Sequence, residues 1–196
     1  MARNRTEART DFKKVPTCEG YIVVDPKKCC GCQTCMMVCT LVHEGKINTS
    51  LARIQVIQDP YGHYPDDIDV VQCRQCVYPE CFLACPVPDT IFVDIENGNI
   101  RRIDESKCIG CQRCVTACPY VPSSIVWNSE EKVAQKCDLC VDTPHWDEQG
   151  GVDGKQACVE VCPMGAIEFT KEIPTQIGDL GYKVNLRSEG WPLDKG

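Results

Sequence analysis

Cys108-Ile109-Gly110-Cys111-Gln112-Arg113-Cys114-Val115-Thr116-Ala117-Cys118-Pro119 decides how this chain folds. The spacing, Cys-x2-Cys-x2-Cys-x3-Cys-Pro, brings four thiols within reach of one iron–sulfur cubane, whose iron prefers thiolate donors. Three further groups repeat it: Cys29-x2-Cys32-x2-Cys35-x3-Cys39, Cys73-x2-Cys76-x4-Cys81-x3-Cys85-Pro86, and Cys137-x2-Cys140, which loops through 17 residues to Cys158-x3-Cys162-Pro163. Sixteen of the 18 cysteines are thereby accounted for. Four tetrads imply four clusters, and a chain of 196 residues so loaded has little room for anything except moving electrons.

A cysteine share of about 9 % is also close to that of a secreted disulfide scaffold. Two features argue against that reading. Residues 1–16, MARNRTEARTDFKKVP, hold no apolar signal-peptide core. Regular tetrads with two or three residues between thiols favour ligation over pairing. No twin-arginine signal opens the chain (Arg101-Arg102 is internal), and no run reaches the ~18 apolar residues of a membrane span. The expected setting is a reducing cytoplasm. Hydrophobic content is 43 % with cysteine included, and roughly a third of the chain without it. That is thin for a conventional core, so metal ligation must supply much of the folding energy, and the apo-chain is expected to be unfolded or molten. The net charge of −7 disfavours nucleic acid as a partner. Residues 1–14 run against it, with Arg3, Arg5, Arg9, Lys13 and Lys14 facing only Glu7 and Asp11. This basic arm is either a docking element for an acidic partner or a solvated terminus.

Short strands are expected at Tyr21–Asp25 and Arg53–Ile57. Ile91–Ile95 and Ile100–Ile103 flank Glu96-Asn97-Gly98-Asn99, a strong hairpin signal. Further strands are expected at Ile125–Trp127, Ala166–Phe169 and Tyr182–Leu186. Residues 141–157 read as an exposed loop. The fold class is α+β: two nested ferredoxin-like two-cluster modules with short helices, small antiparallel hairpins and long loops. The expected divisions are an N-terminal arm (1–19), an outer module (20–65 plus 129–170), an inserted module (66–128) and a C-terminal tail (171–196) that meets a partner.

The nesting follows from a rule of the repeat: the last cysteine of such a run ligates the other cluster of its pair. Tetrads two and three adjoin, so Cys73, Cys76, Cys81 and Cys118 would hold one cluster, and Cys108, Cys111, Cys114 and Cys85 another. Tetrads one and four then pair across them, Cys29, Cys32, Cys35 and Cys162 holding a third and Cys137, Cys140, Cys158 and Cys39 a fourth. Spacing alone allows uncrossed sets as well.

Gly31 and Gly110 let backbone N–H groups approach cluster sulfurs. Proline after Cys85, Cys118 and Cys162 turns the chain away, whereas Thr40 follows Cys39 and leaves that exit less constrained. Val38, Leu83, Val115 and Val159 are expected to shield the clusters from water. Zinc is the competing guest, but only tetrad four has the two-pair layout of a zinc ribbon. Cys18 and Cys30 fall outside the sets and read as small buried hydrophobes, with redox sensing at Cys18 the minority option. His43, His63 and His145 lack metal-site spacing and read as surface or second-layer residues. Trp127, Trp146 and Trp191 read as packing or interface anchors. There is no nucleophile–base constellation, phosphate-binding loop or dinucleotide fingerprint, so no catalytic residue is expected.

The tetrads, their order, and Lys136-Cys137-Asp138-Leu139-Cys140 with Ala157-Cys158-Val159-Glu160-Val161-Cys162-Pro163-Met164-Gly165-Ala166-Ile167 resemble the four-cluster iron–sulfur subunits of molybdenum and tungsten oxidoreductases, the dimethyl-sulfoxide-reductase type. The resemblance covers about residues 20–170. It implies four [4Fe–4S] clusters in a wire and a large catalytic partner carrying tungsto- or molybdopterin. No flavin or pterin is expected on this chain. The ending Gly181–Trp191 is similar to small subunits of tungsten aldehyde oxidoreductases and benzoyl-CoA-reducing enzymes, which implies a flavin, NAD(H)-linked subunit or a ferredoxin as the other redox partner. A free-standing polyferredoxin and an iron–sulfur sensor are the alternatives.

Overall fold

Few residues separate the cysteine loops, and each gap can hold only a short element. The computed structural model describes residues 15–64 and 67–174. The basic stretch 1–14, the expected strand 182–186 and Trp191 lie outside the described residues. The strands are β1 (Tyr21–Val24), β2 (Ile54–Gln58), β3 (Ile68–Gln72), β4 (Ile91–Asp94), β5 (Ile100–Ile103), β6 (Val126–Asn128), β7 (Val133–Gln135) and β8 (Ile167–Thr170). The α-helices are α1 (Thr34–Glu44), α2 (Glu80–Ala84), α3 (Arg113–Ala117) and α4 (Ala157–Glu160).

The strands form four two-stranded antiparallel sheets: β1 with β8, β2 with β3, β4 with β5, and β6 with β7. This is a ferredoxin-like assembly of short helices and hairpins. The β1–β8 pair is the long-range closure, with Tyr21 opposite Thr170 and Val24 opposite Ile167. All four residues of β1 are buried, as its uninterrupted Tyr-Ile-Val-Val composition demands. Gln72, at the end of β3, donates to the Ile22 carbonyl at 2.8 Å and ties the β2–β3 hairpin to this closure. Helix α1 packs on α4, and α2 on α3.

The apolar groups follow the same division. One cluster joins β1 and β8 to Cys35, Cys39, Leu139 and Cys158. A second gathers Ile91, Cys114, Ile125 and Ala134 around Cys81, Cys85 and Cys108. The divisions expected at 65/66 and 128/129 fall between β2 and β3 and between β6 and β7, within hairpins.

Proline sets helix length. Helices α2 and α3 stop before Cys85-Pro86 and Cys118-Pro119, where the cysteines turn extended at ψ 122° and 127°. With Thr40 in the equivalent place, α1 runs on to Glu44 and ends at Gly45 in the left-handed region. Two expectations need correcting, and two strands were not expected. Strands β3 and β7 carry no expectation above, because each is a short run beside a cysteine or turn that masks its pattern. The loop 141–157 is only partly exposed: Val152 and Gln156 are buried. Val152 meets Gly98 in the β4–β5 turn, which folds the long loop onto the hairpin. Leu83 is 40 % exposed and does not shield a cysteine, since α2 is one short turn with no buried residue.

Gly98 has φ +77°, and a Cβ there would lie 2.5 Å from Val152 Cγ2. Gly98→Ala therefore meets both an unfavourable backbone region and a packed side chain, and should destabilise the folded chain by about 1–3 kcal/mol. A lower midpoint in thermal denaturation of the metal-loaded protein checks this; an unchanged midpoint would show that the turn relaxes freely.

Candidate metal centres

Every tetrad opens with Cys-x-x-Cys, and the second x is left-handed in all four: Gly31 at φ 69°, Gln75 at 48°, Gly110 at 71° and Leu139 at 56°. Glycine does this at no steric cost, whereas Gln75 and Leu139 must be held there by their surroundings. Gln75 is fully buried, donates from Nε2 to the Cys137 carbonyl at 3.0 Å, and accepts from the Arg101 N–H at 2.9 Å. Leu139 is fixed by burial in the main core. At tetrad three, an added Cβ on Gly110 would meet the Lys132 carbonyl at 2.7 Å and the Trp127 ring at 3.2 Å. Trp127 thus packs over a ligand loop, as a packing anchor should.

Among the described residues all 18 cysteines are free of disulfides. Three small cavities are lined by cysteines from separated tetrads. Cys29, Cys32, Cys35 and Cys162 line one, together with Cys30. Cys39, Cys137, Cys140 and Cys158 line the second. Cys85, Cys108, Cys111 and Cys114 line the third. Cys73, Cys76 and Cys118 interact electrostatically with Cys81. Among the described residues no three His, Cys, Asp or Glu side chains converge on a single-ion position. Thiols spread around a volume fit a bulky iron–sulfur core better than one tetrahedral zinc, so the donor set fits the expected group.

Burial pushes these thiols up, to about 12 for Cys35, Cys81 and Cys140 and about 11 for Cys114. Without metal they would be protonated, so metal binding must displace protons. Backbone N–H groups are already aimed at several sulfurs: Arg53 at Cys39 (3.3 Å), Ala166 at Cys162 (3.3 Å) and Ser124 at Cys118 (3.4 Å). The Thr34 hydroxyl donates to Cys32 at 3.3 Å.

Cys18 is buried and donates to the Gly20 carbonyl at 3.2 Å, as expected for a small buried hydrophobe. Cys30 does not behave that way. It is exposed in the Cys29–Cys32 loop, beside half-buried Cys29, because consecutive residues of a surface loop cannot both face its centre. His43 is the second-layer histidine: its Nδ1 lies 2.7 Å from the Cys39 carbonyl and its Nε2 3.1 Å from Asp138 Oδ1. His63 and His145 are exposed. Trp146 packs beside Val42, Cys140 and Ala157.

A buried polar network behind the fourth tetrad was not legible in the spacing. Asp138 accepts from Arg53 Nη1 at 3.1 Å and from the Cys140 N–H at 3.0 Å. Arg53 Nη2 reaches Glu105 at 3.1 Å, and Gln135 Nε2 bridges Glu44 and Glu105 at 3.2 and 3.0 Å. Burial opposes the charge on Asp138, but His43 and Arg53 outweigh it and hold the carboxyl down at about 2. Burial also opposes charge on His43, which its bonds to Asp138 and Cys39 raise to about 9. The only sequence signal for this network was Asp138 within Lys136–Cys140. Asp138→Ala would leave buried His43 without its carboxylate and Arg53 with only Glu44 and Glu105, and should cost about 3–5 kcal/mol, measured by chemical denaturation under anaerobic conditions. A loss below about 1 kcal/mol would mean that water replaces the carboxylate.

Among the described residues no helix is long and apolar enough to cross a membrane. The profile of the 4Fe-4S dicluster domain matches residues 67–172. YsaA of Escherichia coli (strain K12) is 32% identical over 155 residues, spanning 76% of this chain and 87% of YsaA. The thiosulfate reductase electron transfer subunit PhsB of Salmonella typhi is 33% identical over 155 residues, spanning 76% of this chain and 74% of PhsB. A chain of the active site complex BamBC of benzoyl coenzyme A reductase, in complex with benzoyl-CoA, aligns at 22% identity over 77% of this chain and 78% of its own length, with a TM-score of 0.42 at which the likeness carries no argument. The profile and the two relatives establish that this chain belongs to the 4Fe-4S dicluster family of ferredoxin-type electron-transfer proteins.

Proposed function

We propose that the chain is a non-catalytic electron-transfer subunit holding four [4Fe–4S] clusters between a tungsto- or molybdopterin catalytic subunit and a second redox partner, a flavin subunit or a ferredoxin. The observation that carries this reading is the set of three cavities, each lined by three tetrad cysteines of one run and one of another, with Cys30 beside the first set. Their membership supports the crossed ligand sets: Cys29, Cys32, Cys35 and Cys162; Cys137, Cys140, Cys158 and Cys39; Cys108, Cys111, Cys114 and Cys85. The electrostatic coupling of Cys81 to Cys73, Cys76 and Cys118 supports the fourth.

Nesting is supported by the β1–β8 pair and the α1–α4 and α2–α3 packing. In this reading the β2–β3 and β6–β7 hairpins carry the chain between modules 20–65 plus 129–170 and 66–128. Each cluster, when bound, takes up and returns one electron. The protein's part is to hold and tune. Sixteen thiolates fix the sites, Val38, Val115 and Val159 limit water, and N–H donors to Cys39, Cys118 and Cys162 stabilise negative sulfur. A catalytic partner is supported by PhsB, whose name makes it the electron transfer subunit of thiosulfate reductase. The tungsten branch rests on the resemblance at Gly181–Trp191, in the tail (171–196) proposed to meet that partner.

Anaerobic affinity purification from the native cells should give about 16 iron per chain together with a large tungsten- or molybdenum-bearing subunit. Sixteen iron with no partner would instead favour a free polyferredoxin, and zinc in place of iron would overturn the reading. Cys118→Ser should damage the cluster held by Cys73, Cys76 and Cys81 and spare the Cys108 set, as followed by electron paramagnetic resonance. Damage confined to the Cys108 set would refute the crossed pairing.

A further inference from the structure

Lys136 is an ammonium in an unusual place. It is 3 % exposed, follows β7 directly and precedes Cys137. A buried lysine normally finds a carboxylate. Arg53, in the same cleft, has Glu44, Glu105 and Asp138. Among the described residues Lys136 forms no such ion pair; the negative groups acting on it are the thiols of Cys73, Cys81 and Cys76. The relation is mutual, since Lys136 is the foremost influence stabilising the Cys81 thiolate against burial. Arg101 adds a second cation to the same side. It is 1 % exposed and bonds from Nε to the Cys76 carbonyl at 2.8 Å. On the other side of Cys137 stands the Asp138 carboxylate, which acts on the thiols of Cys137 and Cys140. The Cys73–Cys76 loop packs directly on Cys137: buried Gln75 donates to the Cys137 carbonyl at 3.0 Å and accepts from the Arg101 N–H at 2.9 Å.

We propose that Lys136 is the residue that raises the reduction potential of the cluster held by Cys73, Cys76, Cys81 and Cys118 above that of its neighbour held by Cys39, Cys137, Cys140 and Cys158. This rests on the ligand sets proposed above. A buried positive charge stabilises the reduced, more negative cluster, and burial keeps water from screening it. The neighbour receives the opposite influence from Asp138, muted by Arg53 and His43. Two residues flanking one cysteine thereby set a step between adjacent clusters, and an electron moves spontaneously toward the Lys136 side. Lys136 here is a tuning residue that acts through the cluster's surroundings and does not ligate iron.

The test uses the full chain, purified anaerobically with its clusters, as wild type, Lys136→Met, Lys136→Gln and Lys136→Arg. Iron is counted, and each midpoint is then followed by potentiometric titration with electron paramagnetic resonance. Lys136→Met should keep its iron and lower one midpoint by at least a tenfold change in the reduction equilibrium, ~59 mV for one electron. The other three should hold still, and Lys136→Arg should restore the value. The moving midpoint must belong to the signal that Cys118→Ser alters. Unmoved midpoints, four moving together, or an arginine variant as shifted as the methionine one would each overturn the proposal. Loss of iron from both the Met and Gln variants, with Arg retaining it, would make Lys136 an assembly residue and also overturn it. A wild type with fewer than four clusters breaks the ligand reading instead, before any variant is compared.

Discussion

Thiolates crowded into a buried volume repel one another, and only protonation or a bound cationic core relieves them. Cys158 shows the constraint: burial first, then Cys140, Cys137, Cys39 and Cys35, push its thiol well above the ordinary range. The groups that would hold a metal are thus neutral thiols without it, and must give up their protons to ligate. The apolar surface cannot make up the difference, because cysteines are themselves members of each apolar cluster. Folding and metal loading are one event in such a design.

That constraint explains the economy of the secondary structure. The sheets have two strands each, and such hairpins are marginal alone in water. They are sufficient here because they hold cysteine loops in register, and the loops in turn hold the strands. Position matters more than length. Strand β1 brings residues before tetrad one against β8, just after tetrad four, and so gathers cysteines more than a hundred residues apart along the chain. The left-handed residue in each Cys-x-x-Cys turn is the same solution reached four times, with glycine twice and with a buried Gln75 or Leu139 where the surroundings supply the support.

Much of this was legible in the sequence because thiol spacing is a geometric statement. The tetrads, the hairpin at Asn97-Gly98, the strands before tetrad one and after tetrad four, and the helix-ending prolines are all local patterns. What escaped depends on partners distant in the chain. Strand β3 needs β2 to be recognised, and β7 is three residues long. The burial of Val152 depends on the Gly98 turn. Leu83 is exposed because α2 is too short to have an inner face. Cys30 is exposed because its neighbour took the inward position. The Arg53–Asp138 network joins residues 85 apart in sequence, and no periodicity can announce it.

The charge distribution closes the account. The chain carries 28 acidic and 21 basic residues, yet Arg101, Lys136 and, nearly so, Arg53 are buried. Burying a cation is costly, and an acidic protein in water gains nothing by hiding its few positive charges. The arrangement makes sense in the four-cluster reading, because four thiolates would outweigh the charge of the iron–sulfur core they surround. Two of these cations lie on the side of the second tetrad, where Arg101 bonds the Cys76 carbonyl and Lys136 acts on Cys73 and Cys81, while the Arg53 guanidinium is held by Glu44, Glu105 and Asp138. In the four-cluster reading these cations would compensate neighbouring clusters unequally, so clusters with identical thiolate ligands would still differ in potential.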